Sequence, residues 1–383
     1  MSINTHKTRK VVIYLSNLIP DLQKFLRRYI SVNLVSGAIV EGLLTQINTS
    51  NATAVINSEY GINEVAIDQI ISYIILPYIY VANQDSNNVT VIDPATNAVL
   101  TTIPVDSGPF DVAITPNGLL AYVTSSFSNS VTVINTASNT VSTTIPVGNN
   151  PRGIAISPNG QRAYVANADS NTVSVINTSN NIVIATVAVQ TFPSGIAVTP
   201  NGQRVLVVNT DSNSVSVINA SNNTLVTTIT VGMNPRYIAI TPNGQTAYVS
   251  NFFSNSISVI NISNNTLSAT ISPGNDHPLG IAITPDGTKA YIATAGPFVV
   301  DGSAITVINT AINTVIAKIQ VPGQLSPEDI AVTPNGLRAY FTVGSNSVGG
   351  HVRVLDTTKN VLIGSPITAG SNTYGIAITP ITF

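Results

Sequence analysis

The stretch GIAISPNGQRAYVANADSNTVSVINTSNNIVIATVAV, residues 153–189, decides the fold. It contains four short runs rich in Val, Ile and Thr, at 153–157, 163–167, 172–177 and 182–189. Gly, Pro, Asn and Ser separate these runs, which is the pattern of short β-strands joined by tight turns. Pro158-Asn159-Gly160 suits a type I turn with glycine in the left-handed position, and Asn180-Asn181 suits another hairpin because asparagine tolerates positive φ. The stretch therefore predicts one four-stranded antiparallel sheet.

The same unit recurs along the chain. The proline of the Pro-Asn-Gly or Pro-Asp-Gly turn is found at Pro116, Pro158, Pro200, Pro242, Pro285 and Pro334, with a truncated copy at Pro380. The steps between these prolines are 42, 42, 42, 43, 49 and 46 residues. Seven copies of a four-stranded unit of about this length indicate an all-β, seven-bladed propeller over residues 78–383.

One column of the repeat supports this fold. The residue two before the Thr-Pro or Ser-Pro pair is alanine in every copy: Ala113, Ala155, Ala197, Ala239, Ala282, Ala331 and Ala377. We expect this column on the innermost strand, where the blades converge and a small side chain is needed. The repeats open with a second strand (78–83) and end with an inner strand (374–380), so the last strand should complete the first blade, three strands plus one. Such closure protects the free edges of the sheets.

The repeats resemble the YVTN family of β-propellers. The residues that carry the resemblance are YVANQDSNNVTVID (80–93), YVANADSNTVSVIN (164–177) and YVSNFFSNSISVIN (248–261). The resemblance implies a propeller of the kind found in bacterial and archaeal surface proteins, with relatives that are quinone-cofactor or lactone-hydrolysing enzymes. The repeat motif itself carries no chemistry, so function does not transfer with it.

Residues 1–77 do not follow the repeat and predict a separate domain. A helix beginning at Asn17 has Leu18, Leu22, Phe25 and Leu26 on one face. Five short strands are predicted after it, at 31–35, 39–47, 52–56, 63–67 and 70–76. Together they indicate a small helix-capped barrel.

The segment VNLVSGAIVEGLLTQI (32–47) resembles the first motif of the Sm-like fold. An Asp and an Asn of that fold are replaced by Asn48 and Asn51, and its Arg-Gly pair by Asp68-Gln69, so the resemblance does not extend to RNA binding. The domain also resembles short domains of spore-associated proteins. The resemblance to the Sm-like fold implies oligomerisation, because Sm-like barrels associate by strand addition at their edges.

Composition excludes several classes of function. Only 8% of the 383 residues are charged and the net charge is −2, whereas a nucleic-acid binder needs a basic face. The 43 Asn residues, about 11% of the chain, supply turns. With no Cys there is no disulfide, thiolate nucleophile or Cys-ligated zinc. Three scattered His predict no metal site, and no glycine-rich phosphate or dinucleotide motif or nucleophile elbow indicates a cofactor or a catalytic residue.

The amino terminus predicts no secretory signal and no stretch predicts a membrane span. The apolar run Val11–Leu15 has five residues, whereas a signal peptide needs roughly 7–15 and a spanning helix about 18. We expect synthesis in the cytoplasm, with possible deposition on a spore or cell surface.

The residues that enter the inner strands are expected to surround the mouth of the central channel. The candidate ligand-binding residues there are Phe110, Asp111, Arg152, Arg236, Tyr237, His277, Glu328, Asp329 and Tyr374. Four glycines of the same segments, Gly153, Gly195, Gly280 and Gly375, should keep the mouth open. Two interpretations are open: the arginines and carboxylates neutralise one another across the rim, or they bind a ligand. His277 is placed in a loop between blades.

Two functions follow from these observations. The first is a non-enzymatic structural or interaction protein, a self-associating or anchored surface module of spore-coat type in which residues 1–77 dock or oligomerise and the propeller is displayed. Its partners would be proteins or further copies of the chain. The alternative is a propeller that binds or hydrolyses a small molecule, a lactone or a sugar, at the channel mouth.

Overall fold

A computed structural model describes residues 29–34, 39–48, 53–58, 61–66, 70–75, 77–274, 276–296, 302–323, 326–344 and 349–380, with side chains from Pro77 onward. The chain divides into two compact units, Met1–Pro77 with Ile381–Phe383 and Tyr78–Pro380. All regular structure in the described ranges is β-strand. None of these residues forms a helix that could cross a membrane. The helix predicted from Asn17 lies outside the described residues.

The first unit contains one antiparallel sheet. Its strands are β1 (Tyr29–Leu34), β2 (Ile39–Asn48), β3 (Thr53–Ser58), β4 (Gly61–Ala66) and β5 (Ile70–Ile75). Their order in the sheet is β4-β3-β2-β1-β5. The closure of these strands into a barrel stays a prediction.

The second unit is built from 28 short strands. The strands of its first half are β6 (Ile79–Asn83), β7 (Asn88–Asp93), β8 (Ala98–Pro104), β9 (Pro109–Ile114), β10 (Leu120–Ser125), β11 (Ser130–Asn135), β12 (Thr140–Pro146), β13 (Pro151–Ile156), β14 (Arg162–Asn167), β15 (Thr172–Asn177), β16 (Ile182–Ala188), β17 (Pro193–Val198), β18 (Arg204–Asn209) and β19 (Ser214–Asn219). Those of its second half are β20 (Thr224–Thr230), β21 (Pro235–Ile240), β22 (Thr246–Asn251), β23 (Ser256–Asn261), β24 (Thr266–Ile271), β25 (His277–Ile283), β26 (Lys289–Ala295), β27 (Ala304–Asn309), β28 (Thr314–Gln320), β29 (Ser326–Val332), β30 (Arg338–Gly344), β31 (His351–Asp356), β32 (Val361–Thr368) and β33 (Thr373–Ile378).

These strands form seven four-stranded antiparallel sheets, which are the seven predicted blades. Six blades take four consecutive strands, from β9–β12 to β29–β32. The seventh has the order β33-β6-β7-β8, so the carboxyl-terminal strand completes the first blade. Ala377 pairs with Tyr80 in that sheet, and the backbone N–H of Tyr78 donates to Thr379 Oγ1 at 2.7 Å. The ring therefore closes through the three-plus-one arrangement that the register of the repeats predicts.

The turns explain why the sequence repeats the same residues. Gly160 has φ of 72° and its N–H donates to the Ser157 carbonyl at 2.8 Å, which closes the predicted type I turn. Asn181 and Asn223 each have φ of 57° in the hairpin between third and fourth strands. Asparagine accepts this left-handed conformation more readily than other residues that carry a Cβ. Most of the asparagine in the chain is therefore a consequence of its many hairpins.

The core of the propeller lies between neighbouring blades. Tyr122 and Val131 of one blade pack with Ile154 and Ala163 of the next, all nearly inaccessible to water. The hydroxyl of Tyr122 also crosses the boundary and donates to Asn181 Oδ1 at 2.7 Å. Each blade thus buries its apolar face only against its neighbours, which makes the ring of seven the stable unit.

Candidate functional site

The inner strands bring all nine predicted residues to one cavity. The inner strands of successive blades, β9, β13, β17, β21, β25, β29 and β33, contact one another in a closed ring. The end of the channel at which these strands begin, here called the channel mouth, holds a cavity of about 570 Å³. Its walls include Phe110, Asp111, Arg152, Arg236, Tyr237, His277, Glu328, Asp329 and Tyr374. A volume of this size is in the range of small-molecule sites.

Two local expectations from the sequence are wrong. His277 is the first residue of β25 and pairs with Ala295, so it belongs to an inner strand and not to a loop. The glycines also have another purpose than keeping the mouth open. A Cβ on Gly153 would lie 2.2 Å from the backbone oxygen of Ser194 in the next blade. Glycine is required there because adjacent inner strands approach too closely for any side chain.

The same close approach positions the two buried aspartates. A Cβ on Gly375 would lie 2.6 Å from the Cα atom of Asp111, and a Cβ on Gly280 would lie 2.5 Å from that of Asp329. Each aspartate therefore occupies the space that a glycine leaves on the preceding blade. The pattern of Gly and Asp around the mouth reflects packing between pairs of blades.

Both aspartates use their oxygens to bind backbone groups. Asp111 accepts from Val112 N at 2.8 Å and, across the blade boundary, from Ile154 N at 3.0 Å. Asp329 accepts in the same way from Ile330 N at 2.8 Å and from the next blade's backbone N–H at position 376, at 3.2 Å. These bonds tie neighbouring inner strands together.

Burial dominates the ionisation of the same two carboxyls. It raises the pKa of Asp111 and of Asp329, and the nearby charge of Asp111 raises that of Asp329 further. The backbone donors lower both pKa values by less than burial raises them. Their negative charge is therefore weaker at neutral pH than that of exposed aspartates.

Arg152 is a positive charge of the cavity that forms no ion pair with the described residues. Its guanidinium carbon lies 4.9 Å from the ring centroid of Phe110 and 4.9 Å from that of Phe192, so two aromatic rings flank it. Its Nε atom is buried and has no hydrogen-bond partner among the described residues. Burial, and then the positive charge of Arg236, lower the pKa of Arg152, while Tyr237, Tyr374 and the carboxylate of Asp169 act in the opposite direction. The rings fix the orientation of the side chain without neutralising it.

Arg236 is held differently. Its Nε donates to Asn234 Oδ1 at 2.7 Å, and its guanidinium carbon lies 5.6 Å from the ring centroid of Phe252. Within the described part of the chain, neither Arg236 nor Arg152 forms an ion pair with a carboxylate. Neutralisation of the arginines by carboxylates across the rim therefore involves no direct ion pair among the described residues, and this interpretation stays open.

Glu328 is the carboxyl that interacts with this positive charge at longer range. Burial raises its pKa to about 7, while a hydrogen bond from Ser326 and the charge of Arg236 act in the opposite direction. The carboxylate oxygens of its neighbour Asp329 instead accept hydrogen bonds from backbone N–H groups. The two adjacent carboxyls thus have separate environments.

Aromatic residues complete the wall. The rings of Phe110 and Tyr374 stack with centroids 4.8 Å apart, and those of Phe252 and His277 stack at 4.5 Å. His277 Nδ1 lies 2.9 Å from the Phe252 carbonyl oxygen. Burial, reinforced by the surrounding carboxyls, raises the pKa of Tyr237 well above its ordinary value of 10.0, so this phenol stays neutral.

Several residues of the site were not among the predicted ones. Phe252 lines the cavity and Phe192 contacts Arg152, and neither belongs to an inner strand. The cavity is also lined by isoleucines that directly precede the alanine column: Ile196, Ile238, Ile281, Ile330 and Ile376. Their fixed position in the repeat is a signal that could have identified them. Among the described residues, no group of three or more His, Asp or Glu side chains could hold a metal ion.

Comparison with known proteins identifies relatives by fold. A protein of unknown function from Desulfotomaculum acetoxidans DSM 771 aligns with 79% of this chain and 99% of its own, with a TM-score of 0.69 and 21% identity. Kuenenia stuttgartiensis hydrazine synthase aligns with 66% of this chain and 77% of its own, with a TM-score of 0.61 and 24% identity. The dihydro-heme d1 dehydrogenase NirN, solved in complex with DHE, aligns with 78% of this chain and 75% of its own, with a TM-score of 0.58 and 16% identity. At these identities the likeness concerns the fold alone.

No curated protein matches the chain. A family model does match: that of the choice-of-anchor I domain, over residues 75–281. This match covers more than half of the sequence and begins just before the first propeller strand. The chain therefore belongs to the choice-of-anchor I domain family.

Proposed function

We propose that this protein is a non-enzymatic binding module in which the channel mouth of the propeller takes up a small-molecule ligand. The observation that carries the proposal is the state of Arg152, whose guanidinium is flanked by two aromatic rings, whose Nε is buried without a hydrogen-bond partner, and which forms no ion pair with any described carboxylate. Burying an unpaired charge destabilises a protein. A ligand that binds the guanidinium would offset that penalty.

The acidic residues of the cavity favour binding over catalysis. Asp111 and Asp329 each accept two backbone hydrogen bonds, so their oxygens are occupied in holding the blades together. A general acid or base must have its proton-transferring atom within reach of the substrate. These two carboxyls therefore suit a structural role better than an acid–base role.

One observation favours the alternative, a lactone- or sugar-hydrolysing propeller. Glu328 faces the cavity with a pKa of about 7, a value suited to proton transfer at neutral pH. Hydrolysis of lactones and glycosides by the wild-type protein and by Glu328→Gln tests this alternative. Turnover that depends on Glu328 would favour it, and equal low rates would favour the binding module.

The amino-terminal unit is proposed to attach or assemble the propeller. Membership of the choice-of-anchor I domain family agrees with a protein displayed at a surface such as a spore coat. The resemblance of residues 32–47 to an Sm-like motif supports the further proposal that residues 1–77 mediate self-association. Sedimentation of the full chain over a wide concentration range, with antibody labelling of intact spores and cells, tests both points. A monomer at all concentrations and labelling confined to the cell interior would contradict them.

Ligand binding is tested by thermal-shift and calorimetric screening of small molecules against the full chain. The matched variants are Arg152→Gln in the cavity and Lys359→Gln on an exposed turn, each of which removes one positive charge. We expect a hit that stabilises the wild-type protein and the Lys359 variant but not the Arg152 variant. A broad screen without any hit, or hits unaffected by Arg152→Gln, would contradict the proposal.

A further inference from the structure

Two arginines line the same cavity. Arg152 and Arg236 occupy the same position in the inner strands of two blades and are close enough for the charge of one to lower the pKa of the other. Neither is engaged in an ion pair within the described residues. Guanidinium groups bind carboxylates through paired, charge-assisted hydrogen bonds. Two such groups without carboxylate partners provide more donors than the protein itself uses.

Aromatic rings and isoleucine side chains line much of the rest of the cavity. Phe110 and Tyr374 form a stacked pair on one side, and Phe252 and His277 form another. Isoleucines from successive inner strands also line the cavity, at positions 196, 238, 281, 330 and 376. An apolar pocket with a few fixed polar groups is typical of sites for organic molecules rather than for inorganic ions. Aromatic walls favour a ligand with a planar ring, because rings stack on one another in offset geometry.

The geometry points to a planar aromatic carboxylate as the class of ligand, with its carboxylate at Arg152 and Arg236 and its ring against the aromatic and isoleucine walls. This inference rests on the proposed binding function and specifies its ligand. No bond is made or broken. The ligand would bind by charge-assisted hydrogen bonds at one end and by burial of its ring at the other.

Burial reduces the negative charge that the carboxyls of the cavity present to such an anion. Asp111 and Asp329 each accept hydrogen bonds from two backbone N–H groups, one in the same inner strand and one in the next. Burial raises the pKa of each, and that of Glu328 to about 7, so their negative charge at neutral pH is reduced. The carboxyls therefore offset the positive charge of the two arginines less than exposed carboxylates would.

The test is isothermal titration of the full-length protein with three probes at pH 7. These are 2-naphthoate, its neutral isostere 2-naphthamide, and acetate, which has the charge but no ring. We expect 2-naphthoate to bind at least tenfold more tightly than either of the others. We expect Arg152→Gln and Arg236→Gln each to weaken 2-naphthoate by roughly tenfold to a hundredfold, the usual effect of losing a hydrogen bond to a charged group. The control variant Lys359→Gln should bind like the wild type.

Every other result overturns some part of the inference. Equal binding of naphthoate and naphthamide, unaffected by the arginine variants but lost in Tyr374→Ala, would refute the anion site while leaving a ligand site at the channel mouth. Equal binding of acetate and naphthoate would refute the aromatic part. If none of the three binds, the ligand class is wrong. If the broad screen described above is also empty, the proposed function fails with it. Circular dichroism spectra and melting temperatures of the variants show whether each one is folded.

Discussion

Glu328 makes the stability of the propeller depend on pH in a direction opposite to that of most surface carboxylates. Its pKa rises from the ordinary value of 4.5 to about 7 on folding, chiefly because the side chain is buried. Below pH 4.5 the group is protonated in both the folded and the unfolded chain and carries no penalty. Between these two values the folded state binds more protons, so the free energy of unfolding falls as the pH rises.

The size of the effect follows from the two pKa values. At 1.36 kcal/mol for each pH unit, the change from 4.5 to about 7 corresponds to a loss of up to about 3 kcal/mol, complete above pH 7. The variant Glu328→Gln keeps the shape of the side chain and its hydrogen bond with Ser326 but cannot ionise. We therefore expect this variant to gain stability relative to the wild type as the pH rises from 4.5 to 8, by about 2–3 kcal/mol.

Urea unfolding followed by far-ultraviolet circular dichroism at several pH values measures this difference. Comparing the variant with the wild type at each pH cancels the contributions of other titrating groups that do not interact with Glu328. Asp211→Asn, at an exposed loop position, is the matched control and should give a curve parallel to that of the wild type. Parallel curves for Glu328→Gln and the wild type across this range would refute the argument.

Three further predictions concern contacts between blades. Tyr122→Phe removes the hydrogen bond to Asn181 and should lower the free energy of unfolding by about 1 kcal/mol. Tyr164 has the same repeat position, but its hydroxyl forms no hydrogen bond with a described residue. Tyr164→Phe should therefore have little effect. Equal effects of the two would contradict the structure. Gly153→Ala forces a Cβ against a backbone oxygen 2.2 Å away and should lower the melting temperature clearly; an unchanged melting temperature is the contrary result. Asp329→Asn places an amide donor against the backbone N–H donors that Asp329 binds. This variant should lower the free energy of unfolding in urea by about 1–3 kcal/mol. An unchanged value would show that the two hydrogen bonds contribute nothing.

The sequence predicts the propeller well because the fold repeats a local pattern. The Pro-Asn-Gly turns, the positive-φ asparagines and the alanine column each specify a position in a blade, and seven copies specify the number of blades. The shift of Tyr78–Asn83 relative to Thr373–Ile378 predicts the closure by the last strand. The membership of the propeller in the YVTN family and the Sm-like barrel in residues 1–77 stay predictions. The family that the comparison identifies is the choice-of-anchor I domain.

The members of the site were predictable and their interactions were not. Arg152 and Asp329 could be placed at the mouth because they precede the isoleucine and alanine of the inner strand. Whether the arginines pair with carboxylates depends on distances around the ring, which the spacing along the chain does not contain. The contact of Phe192 with Arg152 crosses from one blade to the next and left no local signal. For the same reason the glycines were misinterpreted, since the close approach that requires Gly153 comes from a neighbouring strand about forty residues away.

The central claim is that the channel mouth holds an aromatic anion between its two arginines. A crystal structure of the full-length protein grown with 6-bromo-2-naphthoate tests it most directly, because anomalous scattering locates the bromine atom and the density around it orients the carboxylate. We predict one bromine site in the cavity, with the carboxylate within hydrogen-bonding distance of Arg152 and Arg236. An empty cavity at saturating ligand, or a carboxylate turned away from both guanidinium groups, would contradict the claim.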